Sequence, residues 1–495
     1  MTRFTRYIFL TMMVFTIIMT SVISYAAPSE KEVLDAMRKA STFMVNEVSL
    51  NGGYLFAYSA DLTEFHGEAP ARPTQIWVQS STPDMGELFL EAYRVAGEEF
   101  YLDAAKKAAN VLIYGQHPLG GWHYFIDFDM PGLDKWYREV ASQFKWGMEE
   151  YRHFYGNCTY DDNVTPGAAR FLLSLYMTTL EPKYREPLLK VLDFILMSQY
   201  PNGAWPQRYP LRYEFAHDGL ADYTSYYTMN DNAMRDIINL LIEAYEKLGK
   251  EEYMKAALRG ADFIIAAQMP EPQAGWAEQY DMDMKPAWAR THEPAGLMPR
   301  QSIQCINQLQ EIYLMTGDRR YLKPVPGALK WLEESAFEDL GDGKYNLARY
   351  YEAETNKPIY QHKTEQVNEL GYGIYKYDDD PTIVGLGGWM FTTVDIGAVK
   401  RAYNRVRALT PEEAVAEYRA KKVKKTAVPK VNPEKIETLI DSMDRRGAWV
   451  EEISVYDVSI TMTAERPRKS IQGISTGSFI RNMRTFNNYL RQIRQ

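Results

Sequence analysis

Cysteine is nearly absent: of 495 residues only Cys158 and Cys305 carry a thiol. That excludes a disulfide scaffold and leaves room for one bridge at most. Histidine is scarce too, with seven in all, and no C-x-x-C pair or histidine cluster offers a zinc centre. Beyond residue 26 no apolar run is long enough to span a bilayer. Positive charge is in deficit, with a formal net charge of −9, and such a chain is a poor general binder of nucleic acid. If its substrate is a polyanion, the chain needs a local cationic cleft or a bridging metal.

What is present begins with a secretion signal, Met1 to Ala26. Arg3 and Arg6 give its positive end, Ile8 to Ile23 its apolar run and Ser24-Tyr25-Ala26 a small-residue cleavage site. A single membrane anchor is the alternative reading of the same run. Cleavage removes two arginines and takes the charge to −11, and it predicts a secreted or periplasmic protein, monomeric and not inserted in a membrane. The 36 tyrosines and 10 tryptophans stand out, many beside glycine or proline. Most aromatic residues are core, yet this loop placement is common on carbohydrate-handling surfaces.

One theme recurs along the chain: helix, short turn, helix, glycine-aromatic loop. The clear copies run Glu87 to Trp122, Ala168 to Trp205, Ala233 to Trp276 and Ser302 to Tyr345. Their marker tyrosines 101, 184, 253 and 321 are spaced 83, 69 and 68 residues apart. Such units bury their apolar faces only against neighbours. The reading is an all-α dominated fold, an α/α toroid of repeated helical hairpins over 27–407, with short strands in the loops. Residues 27–150 form extra N-terminal hairpins, and 408–495 a linker with C-terminal strands and a helix. The loops before first helices and after second helices gather on one face, where a site belongs.

Pro201 to Leu248 is the stretch around which the others arrange themselves. PNGAWPQRYP is a turn and a short extended segment, LADYTSYYTM a Tyr-rich linker, and NDNAM runs into a helix. Met234, Ile238, Leu241, Tyr245 and Leu248 fall on one helical stripe. Asn230 and Asp231 are N-cap residue types, so Asp231 reads either as a cap or as a site carboxylate. An aromatic loop leading into an amide and a carboxylate suits a sugar polymer. Trp205, Tyr209 and Trp276 are candidate stacking platforms, although each also reads as toroid wall, and Asn230 and Asn232 are candidate orienting groups.

Five motifs in order resemble the family-10 polysaccharide lyases, the pectic acid lyases, over roughly 155–405. They are Asp161-Asp162-Asn163, PNGAWPQRYP, NDNAM, Glu278-Gln279-Tyr280-Asp281 with KPAWARTHEP (285–294), and Arg349-Tyr350-Tyr351-Glu352 with its following loop. The resemblance implies an α/α toroid that cleaves polygalacturonate by β-elimination with calcium at the site. It implies Asp162 and Asp231 as calcium ligands, completed by substrate, and Arg290 and Arg349 as arginines of the cleft. The family's base is an arginine fourteen residues past the equivalent of Arg349, and that count lands on Lys363. Two positions depart from the pattern. Asn232 replaces a second acid, which lowers the site charge by one, and lysine replaces arginine at 363.

β-Elimination removes the proton at C5 beside a uronate carboxylate and expels the C4 oxygen. Positive charge on that carboxylate stabilises the enediolate-like transition state. A neutral lysine is a better base than an arginine, and neighbouring cations and desolvation lower its pKa. The rate should then rise toward alkaline pH, with His362 a neighbouring rival and a candidate substrate contact. Two other classes compete. A helical-barrel glycoside hydrolase would use paired acids from Asp161, Asp162, Asp231 and Glu293. A glycan-binding protein with a decayed lyase site would account for Asn232 and Lys363.

Overall fold

Four units follow one plan, and each closes on itself through a pair of short strands. The protein, seen here as a computed structural model, is described over residues 27–68, 70–143, 155–212, 216, 220–367, 373–379, 391–423, 428–457 and 468–495. The expected signal 1–26 lies outside the described residues, as do 385–389, whose Gly-Leu-Gly-Gly-Trp run reads as one more glycine-aromatic turn, 458–464, the end of a run that alternates apolar residues from 448 and reads as strand, and the side chain of Lys363.

In the first unit the strand Gln75–Trp77 opens, helices Thr82–Ala96 and Glu99–Tyr114 follow, and the strand Phe125–Asp127 pairs back antiparallel on the first. The second unit is Cys158–Thr159, Val164–Thr179, Pro182–Met197 and Arg208–Tyr209. The third is Tyr227–Thr228, Ala233–Leu248, Glu251–Ala266 and Gln279–Tyr280. The fourth is Gly296–Leu297, Pro299–Thr316, Val325–Ser335 and Tyr350–Glu352. First helices of the first three units pack on one another in sequence, and each second helix packs on its own first helix. The C-terminal helix Thr476–Ile493 lies against Thr82–Ala96, and Pro411–Val423 lies against Pro299–Thr316, which carries the wall onward at both ends. The fold is an all-α dominated α/α toroid with short strands in its loops.

The sequence pattern explains the helices. Met234, Ile238 and Leu241 of the predicted stripe are fully enclosed. Gly249 ends that helix at φ 72, a conformation that costs glycine nothing, and its N–H closes on Tyr245 O. The marker tyrosines 101, 184, 253 and 321 are all buried near the start of each second helix or turn. The glycine-aromatic loops have one job. The indole N–H groups of Trp122, Trp205 and Trp276 donate to Leu112 O, Ile195 O and Ile264 O at 2.8, 2.8 and 2.6 Å. Each tryptophan thus staples its loop to the second helix of its own unit. Gly203 must be glycine, because a Cβ there would meet the Arg259 carbonyl of the next unit at 2.1 Å.

Helical rhythm gives way after the fourth unit. Strand Lys344–Ala348 pairs with Phe391–Asp395, while Tyr350–Glu352 continues into a sheet with Pro358–Val367 and Gly373–Asp378. At the C-terminus, Glu451–Tyr456 pairs with Arg468–Ser475, which pairs in turn with Ala57–Ser59. Cys158 and Cys305 are separate buried thiols with no bridge between them, and burial pushes both up to about 12, so neither is reactive. Among the described residues no helix is long and apolar enough to cross a membrane.

Candidate active site

Two adjacent units enter their first helices through the same unusual turn. Asp162 and Asn163 have φ of 48 and 59, and Asp231 and Asn232 have φ of 48 and 64. Aspartate and asparagine tolerate this left-handed region better than other side chains, yet two in succession carry strain. The strain occurs in equivalent places and has a shared result. Carboxylate oxygens of Asp161, Asp162 and Asp231 lie within 4.8 Å of one another.

The closing strands add a second layer by repeating a register. The backbone N–H of Val78 donates to Tyr124 O, that of Tyr160 to Gln207 O and that of Met229 to Glu278 O. Each acceptor stands just ahead of its closing strand, and Arg349 holds that place ahead of Tyr350–Glu352 in the fourth unit. One position therefore delivers a phenol, an amide, a carboxyl and a guanidinium. Tyr124 Oη donates to Asp161. Glu278 Oε2 accepts from Tyr350 Oη at 2.6 Å, and the Arg349 guanidinium lies 5.3 Å from the Tyr350 ring. Gln207 is wholly buried, and neither of its amide atoms has a partner among the described residues.

A loop from the third unit crosses this floor and brings a cation to it. Arg290 Nη2 is 3.6 Å from Asp161 Oδ2 and Nη1 is 3.3 Å from Glu293 Oε1. Asn230 Nδ2 donates to the same Glu293 oxygen at 3.2 Å. Acids still outnumber cations locally. Asp162 is held well above the usual carboxylate range by desolvation first, then by the charges of Asp161, Glu68 and Asp231, with Arg290 opposing. Asp231, although exposed, is raised by desolvation and by Asp161, Glu293 and Glu278. Glu278 is pushed up to about 7 by desolvation and then by Glu293, against the pull of Arg349 and Arg290.

This donor set fits a hard divalent cation. The oxygens are crowded, mutually repelling and free of nitrogen or sulfur competitors, as calcium prefers. Beside them, the amide oxygens of Asn163 and Asn232 are buried and have no partner among the described residues.

Residues 134–378 match the family model for pectic acid lyase. No curated protein matches the chain at significant similarity. Among solved structures, a mutant of a family 10 polysaccharide lyase from Cellvibrio cellulosa, in complex with trigalacturonic acid, is 18% identical. It covers 66% of this chain and 98% of its own, with a TM-score of 0.43. A cellobiose 2-epimerase from Spirochaeta thermophila is 11% identical over 94% and 97% of the two chains, with a TM-score of 0.45. A family 76 α-mannanase from Bacteroides thetaiotaomicron is 11% identical over 94% and 97%, with a TM-score of 0.41. The stretch matched by the family model starts inside the helix Met130–Gln143, so the whole first unit lies outside it.

Of the residues singled out in the sequence, Asp162, Asp231, Asn230, Arg290 and Arg349 come together within the matched residues 134–378, along one acid-rich face. Asp231 does not cap its helix. Asn232 occupies the cap position in the left-handed region, and no side-chain cap bond forms there. Trp205 and Trp276 are 1% and 0% exposed, so their rings offer no face to a sugar, and they belong to the wall. Tyr209 is half-buried with its ring 5.9 Å from Phe194.

The strand Pro358–Val367 separates two neighbours by its pleat. Gln361 Nε2 donates to His292 O at 2.5 Å, and across the ladder Tyr377 Oη donates to Thr291 O, so this sheet face covers the turn beside Arg290. Position 363 pairs with Tyr375 across the ladder. His362 takes the opposite face, where its Nε2 meets Asp378 Oδ1 at 3.0 Å, so it does not join the other site residues. Sequence reading placed Glu278 in a motif without giving it a role, and it did not single out Tyr124, Gln79 or Glu68. The first two had a signal, their fixed offset after Trp276 and Trp122. The last two had none.

Proposed function

We propose that this protein is a polysaccharide lyase that cleaves a polyuronate, polygalacturonate foremost, by metal-assisted β-elimination. The observation that carries this reading is the interleaving of guanidinium and carboxylate groups on one face: Arg290 between Asp161 and Glu293, and Arg349 beside Glu278 and Tyr350. The family match over 134–378 supports it. In the proposal Asp162 and Asp231, joined by Asp161, would hold Ca²⁺. When bound, the ion would neutralise the uronate carboxylate and so acidify the adjacent carbon.

The chain's own groups do the remaining work. Arg290 and Arg349 orient the substrate carboxylate and stabilise charge as it develops, in a setting where water is partly excluded. Lys363, neutral, removes the C5 proton and stores it on Nζ. His362, tied to Asp378, is engaged elsewhere, which favours Lys363. Glu278, protonated over part of the neutral range, is suited to hold a proton near the leaving oxygen. Export through the signal at 1–26 accords with a polymeric substrate outside the cell.

Glu278 also favours a second reading. A raised carboxyl with further carboxyl groups close by is what a glycosidase's general acid needs. Incubation with polygalacturonate decides between them. A lyase produces the ultraviolet absorbance of an unsaturated uronate, whereas a hydrolase gives reducing ends without it, and a binding protein gives neither.

A further inference from the structure

Gln79 belongs to the first unit, outside the stretch matched by the family model, yet its side chain ends inside the acidic cluster. Its Nε2 donates to Asp162 Oδ2 at 2.8 Å and to Glu68 Oε2 at 2.9 Å. One amide nitrogen has two hydrogens, and each serves a different carboxylate. The side chain is 6% exposed, and its Oε1 has no partner among the described residues. The backbone explains the placement. Gln79 N–H reaches Tyr124 O just as Asn230 N–H reaches Glu278 O, so the two amides are counterparts in the first and third units. Their roles match too: each amide donates to a glutamate at the acidic cluster, Asn230 to Glu293 and Gln79 to Glu68.

From this geometry we infer that Gln79 is a positioning residue for the Asp162 carboxylate, and that the first unit completes the cation site of the matched stretch through Gln79 and Glu68. Without the amide between them, Glu68 and Asp162 would repel, and Asp162 would turn away from Asp161 and Asp231. With it, one oxygen of Asp162 is tethered and the carboxylate has a fixed direction before any ligand arrives. Partners of this kind commonly change metal affinity by about 10-fold or more. The inference rests on the proposed function only for the identity of the cation.

The test is calorimetric titration of the full mature chain with CaCl₂, without substrate, alongside melting curves in chelator and kinetics on polygalacturonate. Gln79→Met keeps the volume and loses both hydrogen bonds, and Gln79→Asn is a milder change that cannot span the same distance. Both should weaken calcium binding about 10-fold. They should also raise the calcium concentration needed for half-maximal rate, while kcat at saturating calcium recovers to within about 3-fold of wild type. Calcium affinities within 2-fold of wild type in variants that melt normally, or that melt early, overturn the inference by leaving Gln79 a purely structural role. So does a wild-type protein that binds no calcium. If Gln79→Met does not fold, the Gln79→Asn titration decides alone. A wild type that binds calcium but yields no unsaturated product refutes the lyase reading and leaves the Gln79 result to be read independently.

Discussion

The guanidinium of Arg290 stands 3.6 Å from the carboxylate of Asp161, and it is the cation that opposes the crowding of both Asp162 and Asp231. A flexible ammonium cannot span Asp161 and Glu293 as a planar fork does. Arg290→Lys should therefore lower kcat on polygalacturonate by about 10²–10³-fold. Arg290→Ala should in addition destabilise the fold by about 3 kcal/mol, because it strands a buried carboxylate. Steady-state kinetics and denaturant melts on the two variants check this.

Asp162 and Asp231 are packed against like charge, so the fold bears a cost in the absence of a cation. Asp162→Asn and Asp231→Asn should melt about 1–2 °C higher than wild type in chelator, while calcium no longer raises their melting temperature. Differential scanning calorimetry with and without CaCl₂ gives both numbers.

Trp205→Phe and Trp276→Phe test wall against platform. Each loses a buried indole bond and leaves a small cavity, with an expected cost of about 2–3 kcal/mol. KM for polygalacturonate should stay within 2-fold of wild type. A large rise in KM without loss of stability would return these rings to the substrate path.

His123 sits buried among Tyr124, Phe125 and Tyr155, with ring centroids 5.4, 4.9 and 5.2 Å away. Burial first, then the charge of Arg208, holds its pKa well below the ordinary value. The folded protein keeps it neutral, while the unfolded chain protonates it near pH 6.5. Its contribution is complete above that pH and is lost as the pH falls toward the folded-state pKa. His123→Phe should thus gain on wild type in melting temperature as the pH falls below about 6.5, with a constant difference above about pH 7.

Lys363→Ala should abolish most of the lyase rate and remove its rise toward alkaline pH. His362→Ala should act mainly on stability, since that ring is 4% exposed and tied to Asp378 on the other sheet face. A pH–rate profile for each variant separates the two.

Periodicity made the wall legible. Apolar spacing and glycine-aromatic loops are local signals, and tyrosines recurring at 68 to 83 residues mark the repeat of one unit. The same local signals left a choice open where burial decides the outcome: Trp205 read as platform or as wall, and the bond of its buried indole to Ile195 O makes it wall. The site was legible where a motif carries several polar residues together, as at Asp161-Asp162-Asn163 and NDNAM. Gln79 and Glu68 are single polar residues in an unremarkable stretch, brought to Asp162 from 83 and 94 positions away by closure of the fold. Asn232, read as a lost charge, is offset by Asp161, which the turn folds into the same cluster.

The repeated register ahead of each closing strand turns the toroid into a set of sockets. Tyr124, Gln207, Glu278 and Arg349 stand in them on a shared backbone, and of the four only Gln207 has a side chain without a partner among the described residues. A wall of this kind can drift from gripping acids to gripping neutral sugars one socket at a time, and Gln207, polar and so far unemployed, is where the next such change would meet least resistance.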